Sequence, residues 1–267
     1  MKVLSLFDGI SCGMVALERA NIPVERYVAY EIEPNAIKIS KKNYPQIEHC
    51  GDVTKADFTQ YEGFDLVIGG SPCQGFSYAG KELNFNDPRS RLYFEFERAL
   101  EEVKPRYFLL ENVRMRSEYK DTISKRLGVV GVEINSELVS AQSRNRTYWT
   151  NIQFVTPIED KGISLQSILE FGETQRKKSK TVRVGGAGSG WGNKHEWDMP
   201  NELRTYTTIE LERLQTLPDN YTLCENVTEA QRRKCLGNGW TVDVIAHIFK
   251  GLKEASEDFH CFRIKEK

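Results

Sequence analysis

Phe64-Asp65-Leu66-Val67-Ile68-Gly69-Gly70-Ser71-Pro72-Cys73-Gln74-Gly75-Phe76-Ser77 sets a short apolar run against an abrupt break. Phe64 to Ile68 has the texture of a strand buried on both faces, as in a parallel sheet. Glycines and a proline then end it. The break leaves the Cys73 thiol on a loop at the carboxyl end of a strand, the edge where open α/β sheets bind ligands. An isolated cysteine is more often a small buried hydrophobe, so the neighbouring segments must decide.

Upstream, Val3 to Phe7 reads as a first buried strand, and Asp8-Gly9-Ile10-Ser11 turns it into a helix from about Cys12 to Ala20. Tyr27 to Glu31 is a second strand, Glu33-Pro34 opens a second helix, and a third short strand runs from His49 to Asp52. Downstream, Tyr93 to Val103 is a helix with Phe94, Phe96 and Leu100 on one face, stopped by Pro105. Tyr107 to Leu110 then forms a strand that delivers Glu111-Asn112. This alternation to about residue 154 predicts a doubly wound, mostly parallel α/β sheet. Residues 172–200 are polar and glycine-rich and break the alternation, so a second small domain or an elaborated loop follows. A helix is expected over Tyr206–Leu217, a turn at Gly237-Asn238-Gly239, and an amphipathic helix over Val242–Leu252.

The chain has 267 residues, 28% of them charged, and a formal net charge of -1. That excludes a disordered tail and a uniformly basic nucleic-acid binder; any contact with DNA needs a local basic surface. The cysteines Cys12, Cys50, Cys73, Cys224, Cys235 and Cys261 are widely spaced without a CxxC, which predicts reduced thiols in a cytoplasmic protein. The histidines His49, His195, His247 and His260 lack ligand spacing, so no metal is expected. No apolar run approaches the ~20 residues of a membrane span.

Three consecutive strand ends carry cofactor chemistry. Gly9 and Gly13, in Phe7-Asp8-Gly9-Ile10-Ser11-Cys12-Gly13, leave a helix N-terminus open to a ligand. Neither GxGxxG nor GxxxxGK[ST] is present, so a pyrophosphate is not the favoured ligand. Glu31 stands where an acidic side chain grips ribose hydroxyls, and Asp52 where one accepts from an adenine amino group. Each alone also reads as a turn glycine or a solvated carboxylate. Together they predict a nucleoside cofactor without a pyrophosphate.

In order, Phe7 to Gly13, Glu31, Asp52-Val53, Pro72-Cys73-Gln74, Glu111-Asn112-Val113, Gln142-Ser143-Arg144-Asn145-Arg146, Arg213-Leu214-Gln215 with Pro218-Asp219, and Gly237-Asn238 resemble the DNA (cytosine-5)-methyltransferases over nearly the whole chain. Val24 to Tyr27, Lys120 to Ser124 and Val244 to Phe249 resemble the de novo, vertebrate-type branch. Pro72 to Ser77, Gly237-Asn238-Gly239 and Gly188 to Gly192 resemble bacterial and phage enzymes. The resemblance implies the class I fold of S-adenosylmethionine-dependent methyltransferases with a small target-recognition domain. Residues 1–154 would bind the cofactor and hold the catalytic groups, 155–205 would recognise the target, 206–236 would connect, and 237–267 would return to the catalytic domain.

The implied cofactor is S-adenosylmethionine, held by Phe7, Asp8, Gly9, Ile10, Ser11, Gly13, Glu31, Ile32, Asp52, Val53, Pro72, Leu92, Asn238, and Trp240 or Val242. Many relatives show Gly-Asn-x-Val; here Trp240 occupies the valine position and Val242 follows two later. The resemblance makes Cys73 the nucleophile at carbon 6 of a flipped cytosine, with Glu111 on N3 and the 4-amino group. It puts Arg146 near the base and Arg144 on the loop or a phosphate. Residues 78–91 match a mobile catalytic loop. Gln74, Ser77, Asn112 and Gln142 would line the substrate, and Arg176, Lys177, Lys178 and Arg183 would touch phosphates, although such a charge run reads equally as a solvated face. Trp191 and Trp197 read as recognition residues or as core. Double-stranded DNA is the expected partner, with a cognate restriction endonuclease as a biological partner without stable contact. An RNA (tRNA) methyltransferase and a catalytically silent accessory protein are the rivals.

Overall fold

The computed structural model describes residues 1–71, 91–184 and 204–254. Strands β1 (Lys2–Leu6), β2 (Arg26–Tyr30), β3 (Glu48–His49), β4 (Leu66–Gly70), β5 (Tyr107–Val113), β6 (Val132–Asn135) and β7 (Asn145–Thr150) form one seven-stranded sheet in the order β3-β2-β1-β4-β5-β7-β6. β1 to β5 run parallel; β7 inserts antiparallel between β5 and β6. The link between β6 and β7, residues 136–144, is too short for a parallel crossover, which needs about a dozen residues. The strand order reverses at β1 and β4, which opens a crevice at their carboxyl ends.

Alternation along each strand divides the core. Val3 of β1, Tyr27 and Ala29 of β2 and Ile68 of β4 face helices α1 (Cys12–Arg19) and α2 (Pro34–Asn43). Leu4, Leu6, Val28, Tyr30 and Val67 face the other way, onto α3 (Arg91–Val103) and α4 (Ser117–Leu127). Tyr93, Phe96, Ala99, Leu100 and Val103 form the buried stripe of α3, and Phe94 is only partly buried. Pro34 occupies the first turn of α2, where a missing N–H costs nothing.

After β7 the described chain to residue 184 holds no strand or α-helix beyond a 3₁₀ turn at Gln166–Ile168. It is nevertheless packed: Ile158, Leu165, Ile168 and Val182 share a cluster with Tyr206, Leu211, Leu214 and Leu217. Helices α5 (Thr208–Leu214) and α6 (Glu229–Asn238) each begin with a reciprocal capping box, Thr207 with Glu210 and Thr228 with Gln231. These boxes start α5 two residues later than expected.

Further differences from the sequence reading have local causes. β3 ends at His49, and Asp52 instead caps a 3₁₀ turn by accepting from Thr54. Gly237 and Asn238 are not a turn; they form the last residues of α6, with Gly239 as its cap. The expected 242–252 helix divides into α7 (Val242–Phe249) and the four-residue α8 (Gly251–Glu254). α7 packs on α1, which brings the C-terminal part of the chain onto the first βα unit. Among the described residues no helix is long and apolar enough to cross a membrane.

Candidate active site and cofactor edge

The loop after β1 is held in an uncommon conformation, with Phe7, Gly9 and Ser11 all at φ near +60° (57°, 61° and 61°). For Phe7 and Ser11 this costs roughly 1–2 kcal/mol each, so other contacts must fix it. Asp8 supplies several: it accepts the hydroxyls of Ser5 (2.6 Å), Ser11 (2.5 Å) and Tyr27 (2.7 Å). Burial pushes the Asp8 carboxyl above its ordinary range, and those hydroxyls pull the other way. Glu31 Oε2 accepts Gly9 N–H at 2.8 Å, while its Oε1 accepts the N–H groups of Ile32 and Glu33, both at 2.8 Å. The Tyr221 hydroxyl donates to Ile10 O at 2.6 Å, so the later segment clamps the same loop.

This edge fits a nucleoside. Three N–H groups use three of the roughly four acceptor positions of the Glu31 carboxylate and leave capacity for a hydroxyl. Ile32 beside it is 71% exposed, an apolar side chain with no core to cover it. Asp52 spends Oδ1 on the Thr54 N–H and hydroxyl, which hold its carboxyl below the usual range; Oδ2 faces Lys55 at 4.0 Å. Leu92 is half-buried and Asn238 exposed. Val53, Ile10, Ser11 and Val242 are buried, so Val242 in particular is a core residue under α1 rather than an open contact.

On the other side of the crevice Glu111 is 8% exposed and has both oxygens engaged. Arg146 Nε reaches Oε1 at 3.0 Å, and Trp240 Nε1 donates to Oε2 at 3.0 Å. Gly70 of β4 pairs with Glu111 of β5, so the segment that leads to Cys73 departs beside this carboxylate. Asn112 steers that departure: its amide donates to Ser71 Oγ (2.9 Å) and Ser71 O (3.3 Å).

Of five expected contacts, four change role and Arg144 takes the first of its two expected roles, the loop. Asn112 is 1% exposed and Gln142 0%, which takes both side chains out of reach of a substrate. Gln142 donates to Leu214 O and Gln215 Oε1 and accepts Val182 N–H. Arg144 lies buried just before β7 and donates to Val182 O, Gly237 O and Gly239 O, so it holds loops rather than a phosphate. Burial, with Arg146 nearby, pushes Arg144 down to about 9, which still leaves it charged at neutral pH. Lys178 spends its ammonium on Glu137 O and Ser140 O; Lys177 is exposed, and Arg176 and Arg183 are half-buried. Val242 is the fifth, as above.

Pro72, Cys73, Gln74 and Ser77, residues 78–90 of the expected catalytic loop, the glycine run 185–192 with Trp191, Trp197, His195, His260 and Cys261 lie outside the described residues. Of the described cysteines, Cys12 and Cys235 are buried thiols, pushed up by desolvation to about 12 and about 11. Among the described residues no group of three metal-binding side chains comes together. Sequence reasoning missed the Trp240–Glu111 bond and the Asn112–Ser71 anchor. The substitution of tryptophan for the relatives' valine was the available signal for the first; the second left none.

Parallel strands reversing at β1 and β4 and an antiparallel β7 at the other side of β5 define the S-adenosylmethionine-dependent methyltransferase fold. The Dnmt2 methyltransferase of S. pombe shares it, with a TM-score of 0.75 at 21% identity over 97% of this chain and all (100%) of that one. The family model "C-5 cytosine-specific DNA methylase" matches residues 1–153 and 129–254. The type II methyltransferase M1.ScrFI of Lactococcus lactis subsp. cremoris is 29% identical over 96% of this chain and 79% of its own length. M.NgoBV of Neisseria gonorrhoeae is 30% identical over 80% of this chain, which spans 60% of that relative. The chain belongs to the C-5 cytosine-specific DNA methylases, and that family indicates a DNA (cytosine-5)-methyltransferase.

Proposed function

We propose that this chain methylates carbon 5 of a cytosine flipped out of double-stranded DNA, through a covalent bond between Cys73 and carbon 6. The observation that carries the reading is Glu111, held by Arg146 and Trp240 and paired in register with Gly70. Cys73 follows Gly70 by three residues, a chain reach of at most about 11 Å. Carbon 5 is a weak nucleophile until a thiolate adds at carbon 6 and pushes electrons toward carbon 5 and N3. Glu111 takes N3 and the 4-amino group and stabilises charge in the ring as that bond forms. S-adenosylmethionine supplies the methyl group that carbon 5 takes up. Loss of the carbon 5 proton to ordered water or hydroxide then restores the double bond and expels the Cys73 thiolate.

The cofactor would be held by Glu31 at the ribose, Asp52 at the adenine amino group, and Ile32, Leu92 and Asn238 around it. Arg176, Lys177 and Arg183 remain candidates for phosphate contacts, whereas Lys178 is committed to its own loop. The relatives' type II names fit a cytoplasmic enzyme of a restriction-modification pair or a phage, with a restriction endonuclease as biological partner. Expression in a methylation-free host, followed by base-resolution mapping of 5-methylcytosine, should show genomic methylation within one sequence motif. Unmethylated genomic DNA together with newly methylated tRNA would instead make RNA the substrate.

A further inference from the structure

We propose that Trp240 is a positioning residue for Glu111: its indole N–H fixes one carboxylate oxygen so that Glu111 meets the cytosine edge in a single orientation. This rests on the role given to Glu111 above. A carboxylate rotates about its last bond, and one donor on one oxygen leaves that rotation open. Here Arg146 from β7 takes Oε1 at 3.0 Å and Trp240, from the segment after α6, takes Oε2 at 3.0 Å. An ion pair from one element and a donor from another fix the carboxyl plane and leave one site per oxygen, one to accept from the 4-amino group and one to share a proton with N3. The indole is neutral, so it orients the carboxyl group without placing a second cation beside Arg146.

Gly70 is a second and independent observation. A Cβ there would lie 2.8 Å from Trp240 Nε1 and 3.1 Å from Glu111 Oε2. The absent side chain in β4 is what lets the Trp240–Glu111 bond cross the strand end. The six-membered edge of the indole faces α1, with its Cζ3 3.7 Å from where a Gly13 Cβ would stand. The ring therefore spans from the cofactor loop to the base-binding carboxylate. A tryptophan N–H that is partly buried normally finds a partner, and this one is given a carboxylate.

Trp240→Phe keeps an aromatic ring and removes the donor. It should lower kcat roughly 10- to 100-fold, the range for a lost hydrogen bond to a charged group. KM for S-adenosylmethionine and for duplex DNA should stay within about two-fold, because the lost interaction acts in the transition state. In a Glu111→Ala background the same substitution should cost nothing further. A benzothiophene analogue of tryptophan at position 240 removes only the N–H, and should give the same loss even if the phenylalanine variant folds poorly. Wild-type kcat in the analogue protein, or an undiminished loss in the Glu111→Ala background, would overturn the proposal while leaving Glu111 in its role. Wild-type turnover by Glu111→Ala would remove that role, and this proposal with it.

Discussion

Asp8 shows how a single residue sets the cofactor loop and ties it to pH. Its carboxyl is raised because burial strips water from the charged form, and the hydroxyls of Ser11, Ser5 and Tyr27 offset only part of that. A folded-state value above the unfolded one means that the folded protein binds this proton more tightly. The contribution is therefore fully present below the unfolded value of about 3.8 and is lost as pH rises through the raised value. Asp8→Asn removes the titration, so its melting temperature relative to wild type should climb as pH rises above about 3.8. A difference that stays flat with rising pH would show that burial does not govern Asp8. The neighbouring Cys12, pushed up to about 12, is an inert thiol at neutral pH, which sets it apart from the nucleophile expected at Cys73.

The run Gln142-Ser143-Arg144-Asn145-Arg146 separates at the level of elements: Arg146 faces the site, and Gln142 and Arg144 hold it. Gln142 and Gln215 form a buried amide pair. Gln215 donates to Leu236 O (2.7 Å) and Gly239 O (3.1 Å) and accepts the Thr241 hydroxyl (3.0 Å). With Arg144 on Val182 O, Gly237 O and Gly239 O, the segment around 182 is locked to the end of α6. Gly237 allows that contact, since a Cβ there would fall 2.5 Å from Arg183 C and 2.6 Å from Val184 N. Both are backbone atoms that cannot swing away. Gly237→Ala should cost about 1–3 kcal/mol in urea unfolding, the usual penalty of overpacking, and wild-type stability would contradict the docking described. β1, β2, β4 and β5 were legible because buried parallel strands advertise themselves as unbroken apolar runs. Gly237-Asn238-Gly239 was misread because glycine punctuates turns locally, whereas here close packing against residues 183–184 selects it inside a helix. The resemblance likewise left Arg144 between the loop and a phosphate and carried no sign that three carbonyls would claim it.

Across the whole molecule, the crevice is built from both ends of the sequence. α7 lies on α1, Tyr221 holds Ile10, Lys234 pairs with Glu33 at 2.6 Å, and Trp240 reaches Glu111. The cofactor edge and the base-binding carboxylate are therefore complete only when the last part of the chain has returned to the first. The candidate chemistry was readable as an ordered set of strand-end residues, because each strand delivers its functional group at the same edge. Several of the contacts that bind those groups together were not, since they join residues distant in sequence, such as Glu111 and Trp240 (129 apart) or Ile10 and Tyr221 (211 apart). The central claim is the covalent role of Cys73, and a duplex carrying 5-fluorocytosine at the mapped target site tests it most directly. Fluorine in place of the carbon 5 hydrogen blocks the final elimination. With S-adenosylmethionine present, wild-type protein should become covalently attached to the duplex and migrate as a denaturant-resistant adduct whose linkage maps to Cys73, and Cys73→Ser should form none. No adduct with wild-type protein that is active on the unmodified site, or an adduct that persists in Cys73→Ser, would contradict the account.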